Sequence, residues 1–66
     1  MPNEETMRAN PTTQYAVGEN VLVWFDGMFM LAETSDPAVF GQSAWTDVDY
    51  TYETYDELVA AVTALV

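Results

Sequence analysis

The chain contains no cysteine and no histidine, and its only basic side chain is Arg8. Without cysteine it can form neither a disulfide nor a thiolate metal site, and its redox compartment stays open. Without histidine it lacks the commonest transition-metal ligand and the commonest general base. Lysine and isoleucine are missing as well, which is typical of a GC-rich genome or of adaptation to molar salt. We therefore expect a protein that is not an enzyme and has no catalytic, metal or cofactor site.

Long apolar runs are missing too. No uninterrupted apolar stretch reaches the length of a membrane span, and the N-terminus has neither the basic nor the apolar part of a signal peptide. The 66 residues, half of them hydrophobic, allow one small domain with a core and argue against general disorder. These features predict a soluble cytoplasmic protein, in the host cytoplasm if the chain is viral.

The chain carries a large excess of negative charge. Eleven carboxylates accompany the single cation, and the formal net charge is −10. Such a surface repels nucleic acid and anionic membranes, because both carry the same sign of charge. It attracts cations and basic proteins. We therefore expect a basic protein partner, itself a nucleic-acid-binding one, and no direct contact with nucleic acid or membrane.

Local patterns predict an α+β fold of one domain over residues 14–66, preceded by a flexible arm over residues 1–13. The arm is polar, contains two prolines and shows neither helical nor strand periodicity. Residues 14–17 suit a short first strand that ends at a turn over residues 18–20. The sheet is then expected to contain three to four antiparallel strands.

The strongest local signal is a hairpin over residues 21–33. Two apolar segments flank Asp26-Gly27, a dipeptide that favours a two-residue type I′ turn. A turn centred there pairs Trp24 with Phe29. Because side chains alternate along a strand, one face then collects Leu22, Trp24, Phe29 and Leu31. The other face collects Val21, Val23, Phe25, Met28, Met30 and Ala32.

A third strand and a helix complete the predicted fold. Residues 45–53 alternate between apolar and acidic or polar side chains, which is the period of a half-buried strand. Thr54 and Glu57 form a capping box that starts a helix over residues 55–66. The helix carries a broad apolar stripe and is expected to pack on the sheet.

An acidic row is the first candidate binding surface. It follows the third strand into the first turn of the helix and comprises Asp47, Asp49, Glu53, Asp56 and Glu57. Residues two apart in a strand lie about 6.6 Å apart, close to twice the advance of about 3.4 Å per phosphate along one DNA strand. The row therefore suits a DNA mimic. The alternative is that these acids have no binding role: those of the strand form an ordinary solvent-exposed face, and those of the helix stabilise its first turn.

The apolar hairpin face is the second candidate. Leu22, Trp24, Phe29 and Leu31 either form an interface with another chain, such as a homodimer, or pack under the loop that contains Val39 and Phe40. Contiguous exposed aromatic surface is typical of interfaces. Both alternatives stay open at the level of the sequence.

Two segments carry resemblances. The run from Tyr15 through Val17, Gly18 and Glu19 to Val23, followed by Asp26-Gly27, resembles the opening strands of small Src-homology-like and Tudor barrels over less than a third of the chain. The β-β-β-α order resembles small antitoxin domains of the HicB type. Neither resemblance assigns a function to individual residues.

Taken together, these features favour a small acidic inhibitor that blocks a basic, nucleic-acid-binding surface of its partner. Phage proteins that block host defence nucleases, anti-CRISPR proteins among them, are similar in size and charge. Two alternatives remain. One is a halophilic housekeeping domain whose acidity serves solubility, and the other is an antitoxin or oligomeric structural protein.

Overall fold

The fold is an antiparallel sheet with helices, the α+β arrangement expected from the sequence. The structure, a computed structural model, describes residues 1–33 and 50–66. Along the chain it contains α1 (Glu4–Ala9), β1 (Tyr15–Ala16), β2 (Val21–Phe25), β3 (Phe29–Glu33), β4 (Tyr50–Tyr52) and α2 (Tyr55–Leu65). The strands lie in the order β1-β2-β3-β4, and each pairs antiparallel with its neighbour.

Strands β2 and β3 form the predicted hairpin in a different register. Phe25 lies opposite Phe29 and Trp24 opposite Met30, so the connection has three residues, 26–28, and the predicted two-residue turn is wrong. Within this loop the Asp26 N–H donates to the Met28 carbonyl oxygen at 3.0 Å. Gly27 has φ +79°, a conformation that glycine adopts without strain. A one-residue slip turns every side chain of a strand to the other face.

This register determines which side chains enter the core. On the face toward the helices, called here the first face, Phe29 and Leu31 join Val21 and Val23 instead of Met28 and Met30. Both described helices supply buried residues to the same cluster. The full set of its buried members is Met7, Val21, Val23, Phe29, Leu31, Leu58 and Val62. In β3 the helices therefore bury Phe29 and Leu31 and not the more flexible methionines.

Helix α2 begins as the sequence predicts. Thr54 is its N-cap, and the Thr54 hydroxyl oxygen accepts a hydrogen bond from the Glu57 N–H at 3.2 Å. The helix extends over Tyr55–Leu65, one residue short of the predicted end. Its buried residues, Leu58 and Val62, are four positions apart and therefore lie on one side of the helix, against the sheet.

Helix α1 differs from the flexible arm expected over residues 1–13. Asn3 caps it, since its side-chain oxygen accepts from the Thr6 N–H at 2.8 Å. Acidic residues occupy the first turn and Arg8 the last, as the helix dipole favours. Met7 is fully buried against the first face. With only six residues α1 is too short to display periodicity, and its order comes from the cap and from this tertiary contact.

The opposite side of the sheet, called here the second face, carries a smaller cluster. Leu22, Trp24 and Ala32 are buried there, and Met30 packs against them. Residues 34–49 lie outside the described residues, and with them the predicted loop and the part of the third strand before Tyr50. Among the described residues, no helix is both long enough and apolar enough to span a membrane.

Candidate functional site

The predicted acidic row is described only in its second half. Glu53 precedes the N-cap of α2, and Asp56 and Glu57 form its first turn. All three side chains are exposed. Their position is fixed by the pairing of β4 with β3 and by the Thr54 cap. Asp47 and Asp49 lie outside the described residues, so the structure brings together three acids of the five.

Exposure of carboxylates extends beyond this row. Every acidic side chain in the described residues is exposed, and none of the charged residues there is buried. These acids are Glu4, Glu5, Glu19, Asp26, Glu33, Glu53, Asp56 and Glu57. The described surface therefore presents negative charge on both helices, on the hairpin loop and at strand ends.

The only cation of the chain is engaged internally. The Arg8 Nε donates to the Glu4 carboxylate oxygen Oε2 at 2.9 Å, across one turn of α1. The Arg8 guanidinium carbon also lies 5.0 Å from the ring centroids of both Phe25 and Phe29. This distance is within the range of cation–π attraction. Arg8 therefore offsets negative charge on its own helix and contacts the hairpin, and the sequence holds no second basic side chain.

The two phenylalanines belong to an aromatic cluster at the end of the hairpin. Their rings are 4.9 Å apart with planes tilted by 51°. The Tyr55 ring meets Phe29 edge-on at 5.8 Å. The Glu4 carboxylate and the rings of Phe25 and Phe29 all lie against the guanidinium, and we call these three residues the aromatic cation site. Chemically, two ring faces and a carboxylate are suited to a planar cation.

Sequence reasoning missed this site for two reasons. The expected register placed Phe25 and Phe29 on opposite faces of the hairpin, whereas the three-residue loop places them opposite each other on one face. The expected arm left Arg8 without a fixed position. One signal was present, because Glu4 and Arg8 are spaced i, i+4 as in a stabilising helical ion pair.

The four apolar residues expected on one hairpin face lie on two. Leu22 and Trp24 belong to the second face, whereas Phe29 and Leu31 belong to the core under the helices. None of them is more than 2% exposed within the single chain. All four side chains are therefore buried within the single chain, but the loop that contains Val39 and Phe40 lies outside the described residues, so packing under that loop and contact with another chain both stay predictions.

The described residues contain no group of three or more acidic side chains placed to hold a metal ion. Comparisons of the chain with protein-family models, with curated proteins and with solved structures give no match. The resemblances to barrels and to antitoxin domains are therefore carried no further, and the function has to be argued from the surface itself.

Proposed function

We propose that this protein is a non-enzymatic inhibitor that binds a basic, nucleic-acid-binding surface of a partner protein and blocks it. The observation that carries the proposal is the one-sided charge of the surface. Every described carboxylate is exposed, while the only cation is held by Glu4 and by two phenylalanine rings.

A charge of −10 on 66 residues has an energetic cost. Exposed like charges repel one another and destabilise the compact state, and few internal ion pairs are available here to offset this repulsion. A basic partner surface offsets it directly, and the same field accelerates the encounter between the two proteins. Nucleic acid, which has the same sign of charge, competes for that surface and does not bind the inhibitor itself.

The first turn of α2 is the best-positioned part of this surface. Three acids fall within the five residues 53–57, and two of them stand on a helix that packs on the core through Leu58. A capped helix start holds the charges in a defined arrangement, which reduces the entropy lost on binding. We assign the recognition surface to Glu53, Asp56 and Glu57, together with Asp47 and Asp49 from the sequence.

Displacement of nucleic acid tests this proposal. Purified basic DNA- and RNA-binding domains, each carrying a fluorescently labelled oligonucleotide, are titrated with the full chain. We expect release of the oligonucleotide from at least one domain, with an affinity that falls steeply as salt is added. Polyglutamate of matched charge serves as the control for non-specific competition. Failure to release more nucleic acid than polyglutamate from any domain would overturn the proposal.

Two triple variants locate the surface. The first neutralises the row through Glu53→Gln, Asp56→Asn and Glu57→Gln. The second removes the same charge elsewhere through Glu5→Gln, Glu19→Gln and Glu33→Gln. We expect the first triple to weaken displacement about tenfold more than the second, a difference of about 1.4 kcal/mol. Equal losses would place recognition in the overall charge and not in the row.

A further inference from the structure

The aromatic cation site has the chemistry of an arginine receptor. The guanidinium carbon of Arg8 is equidistant, at 5.0 Å, from the ring centroids of Phe25 and Phe29, and the planes of these two rings are tilted by 51° to each other. A carboxylate oxygen of Glu4 accepts from Nε at 2.9 Å. A flat, weakly hydrated guanidinium suits both the ring faces and the carboxylate, whereas a compact ammonium group, which is strongly hydrated, suits them less well.

The resident arginine can leave this site without the helix leaving the sheet. The Arg8 side chain is 50% exposed and that of Glu4 48%, so their ion pair is open to solvent and contributes little to holding the conformation. Helix α1 is held separately by buried Met7 and by the bond between the Tyr55 hydroxyl and the Pro2 carbonyl oxygen. A rotation of the Arg8 side chain alone therefore uncovers the Glu4 carboxylate and the parts of the two rings that the guanidinium covers, while Phe29 otherwise stays in the core.

A basic partner brings the groups that fit a vacated site. Nucleic-acid-binding surfaces are rich in arginine, and the loop beside the rings carries one further exposed carboxylate, Asp26. We propose that Phe25, Phe29 and Glu4 form an arginine-binding site, which Arg8 occupies in the free protein and an arginine of the partner occupies in the complex. This inference rests on the proposed function and names the side chain that the partner inserts.

Because Arg8 occupies the aromatic cation site in the free protein, it competes with the arginine of the partner. Its removal raises affinity for arginine, because the incoming guanidinium no longer has to displace a tethered one. Removing Arg8 also makes the net charge more negative, which strengthens the binding of arginine and lysine equally. Vacating the site strengthens the binding of arginine alone. The ratio of affinities for arginine and lysine is therefore the informative quantity.

The test uses the full chain and two peptides of equal length and charge, one with arginine and one with lysine between glycines. Affinities are measured by calorimetry for the parent and for Arg8→Met, which removes the resident guanidinium and keeps the helix propensity of the position. We expect the arginine-to-lysine affinity ratio to rise about tenfold in Arg8→Met. Ala60→Glu, an exposed position on α2, gives the same net charge with Arg8 in place, and its ratio should equal that of the parent.

A second substitution tests the rings. Adding Phe25→Leu to Arg8→Met should return the ratio to the parent value, with circular dichroism and the unfolding transition used to confirm that the double variant is folded. An unchanged ratio in Arg8→Met overturns the arginine site. A parent that is a dimer and an Arg8→Met variant that is a monomer, by sedimentation, also overturns it, since Arg8 of a second copy would then be the occupant.

The two proposals fail in distinguishable ways. If only the arginine site is wrong, both peptides still bind every variant with the same salt dependence, and nucleic acid is still displaced from basic domains. If the inhibitor function is wrong, no nucleic acid is displaced beyond the polyglutamate control, whatever the peptide ratio shows.

Discussion

The Tyr55 hydroxyl donates a hydrogen bond to the Pro2 carbonyl oxygen at 2.6 Å and so joins residues 53 positions apart. It connects the first turn of α2 to the segment immediately before α1. A six-residue helix is not stable in isolation, so α1 depends on such contacts. The N-terminal residues are therefore part of the folded domain, and their contribution to stability can be measured.

Tyr55→Phe removes this hydrogen bond and retains the ring that meets Phe29 edge-on. The bond is partly buried, so we expect its loss to lower the free energy of unfolding by about 1 kcal/mol, measured by urea denaturation. Amide exchange in α1 should accelerate more than in the hairpin. Tyr50→Phe is the control, since Tyr50 is 52% exposed, and its unfolding midpoint should stay near that of the parent.

Met7→Ala tests whether α1 contributes to the core. Met7 is fully buried in the core cluster that also contains Val23 and Leu58, and truncation of such a residue to alanine typically costs about 2 to 5 kcal/mol. A loss near this range would remove much of the stability of so small a domain. Thr6→Ala, at an exposed position of the same helix, should cost almost nothing. If Met7→Ala were equally harmless, residues 1–13 would behave as the flexible arm that the sequence suggested.

The elements that the sequence predicts best are those with strong local signals. Strands β2 and β3 have long apolar segments on either side of Asp26-Gly27, and α2 has both a Thr54 cap and an apolar stripe. Helix α1 was missed because its six residues show no period. Its signals were the Asn3 cap, the acids that follow it and the Glu4–Arg8 spacing, all of which are local and individually weak.

Register could not be predicted because Asp-Gly fits more than one loop. The dipeptide favours a two-residue turn, but a three-residue loop also requires one residue with positive φ, and Gly27 supplies it. What decides between them is burial, since Phe29 and Leu31 reach the helices only in the observed register. This burial is a tertiary contact, which the local sequence does not reveal. The same register places Phe25 opposite Phe29, so that both rings contact the Arg8 guanidinium.

The two glycines that the structure describes differ in how well they tolerate an added side chain. Gly27 has φ +79° with no atom within 4 Å of a Cβ added there, so only backbone strain opposes a side chain. Gly27→Val should lower the free energy of unfolding by about 1 kcal/mol or more. At Gly18 an added Cβ would meet the Val66 side chain at 2.7 Å, but Val66 is 66% exposed and free to move aside. Gly18→Ala should therefore cost less, and the reverse order by urea denaturation would refute this assignment.

A substitution at Thr12 is expected to stabilise the domain. Its φ of +66° is unusual for a β-branched residue. Pro11 precedes it, and the Thr13 N–H donates to the Asn10 carbonyl oxygen at 3.2 Å, the pattern of a type II turn. Asparagine tolerates this conformation better, so Thr12→Asn should raise the free energy of unfolding by up to about 1 kcal/mol. Thr13→Asn, outside the strained position, should leave the free energy of unfolding unchanged. Equal changes in the two variants, measured by urea denaturation, would mean that backbone strain at Thr12 is not the cause.

A salt titration of stability separates an inhibitor from a halophilic domain. The exposed carboxylates repel one another over distances of about 8 Å at physiological salt, and added salt screens this repulsion. A core that includes Met7, Phe29 and Leu58 should nevertheless keep the chain folded in dilute buffer, with a modest rise in the urea midpoint as salt increases. Neutralising Glu53, Asp56 and Glu57 together should raise the midpoint in dilute buffer and flatten its salt dependence, because fewer like charges remain. A chain that unfolds in dilute buffer and folds only near molar salt would contradict the inhibitor proposal, since its acidity would then serve folding in brine and not recognition.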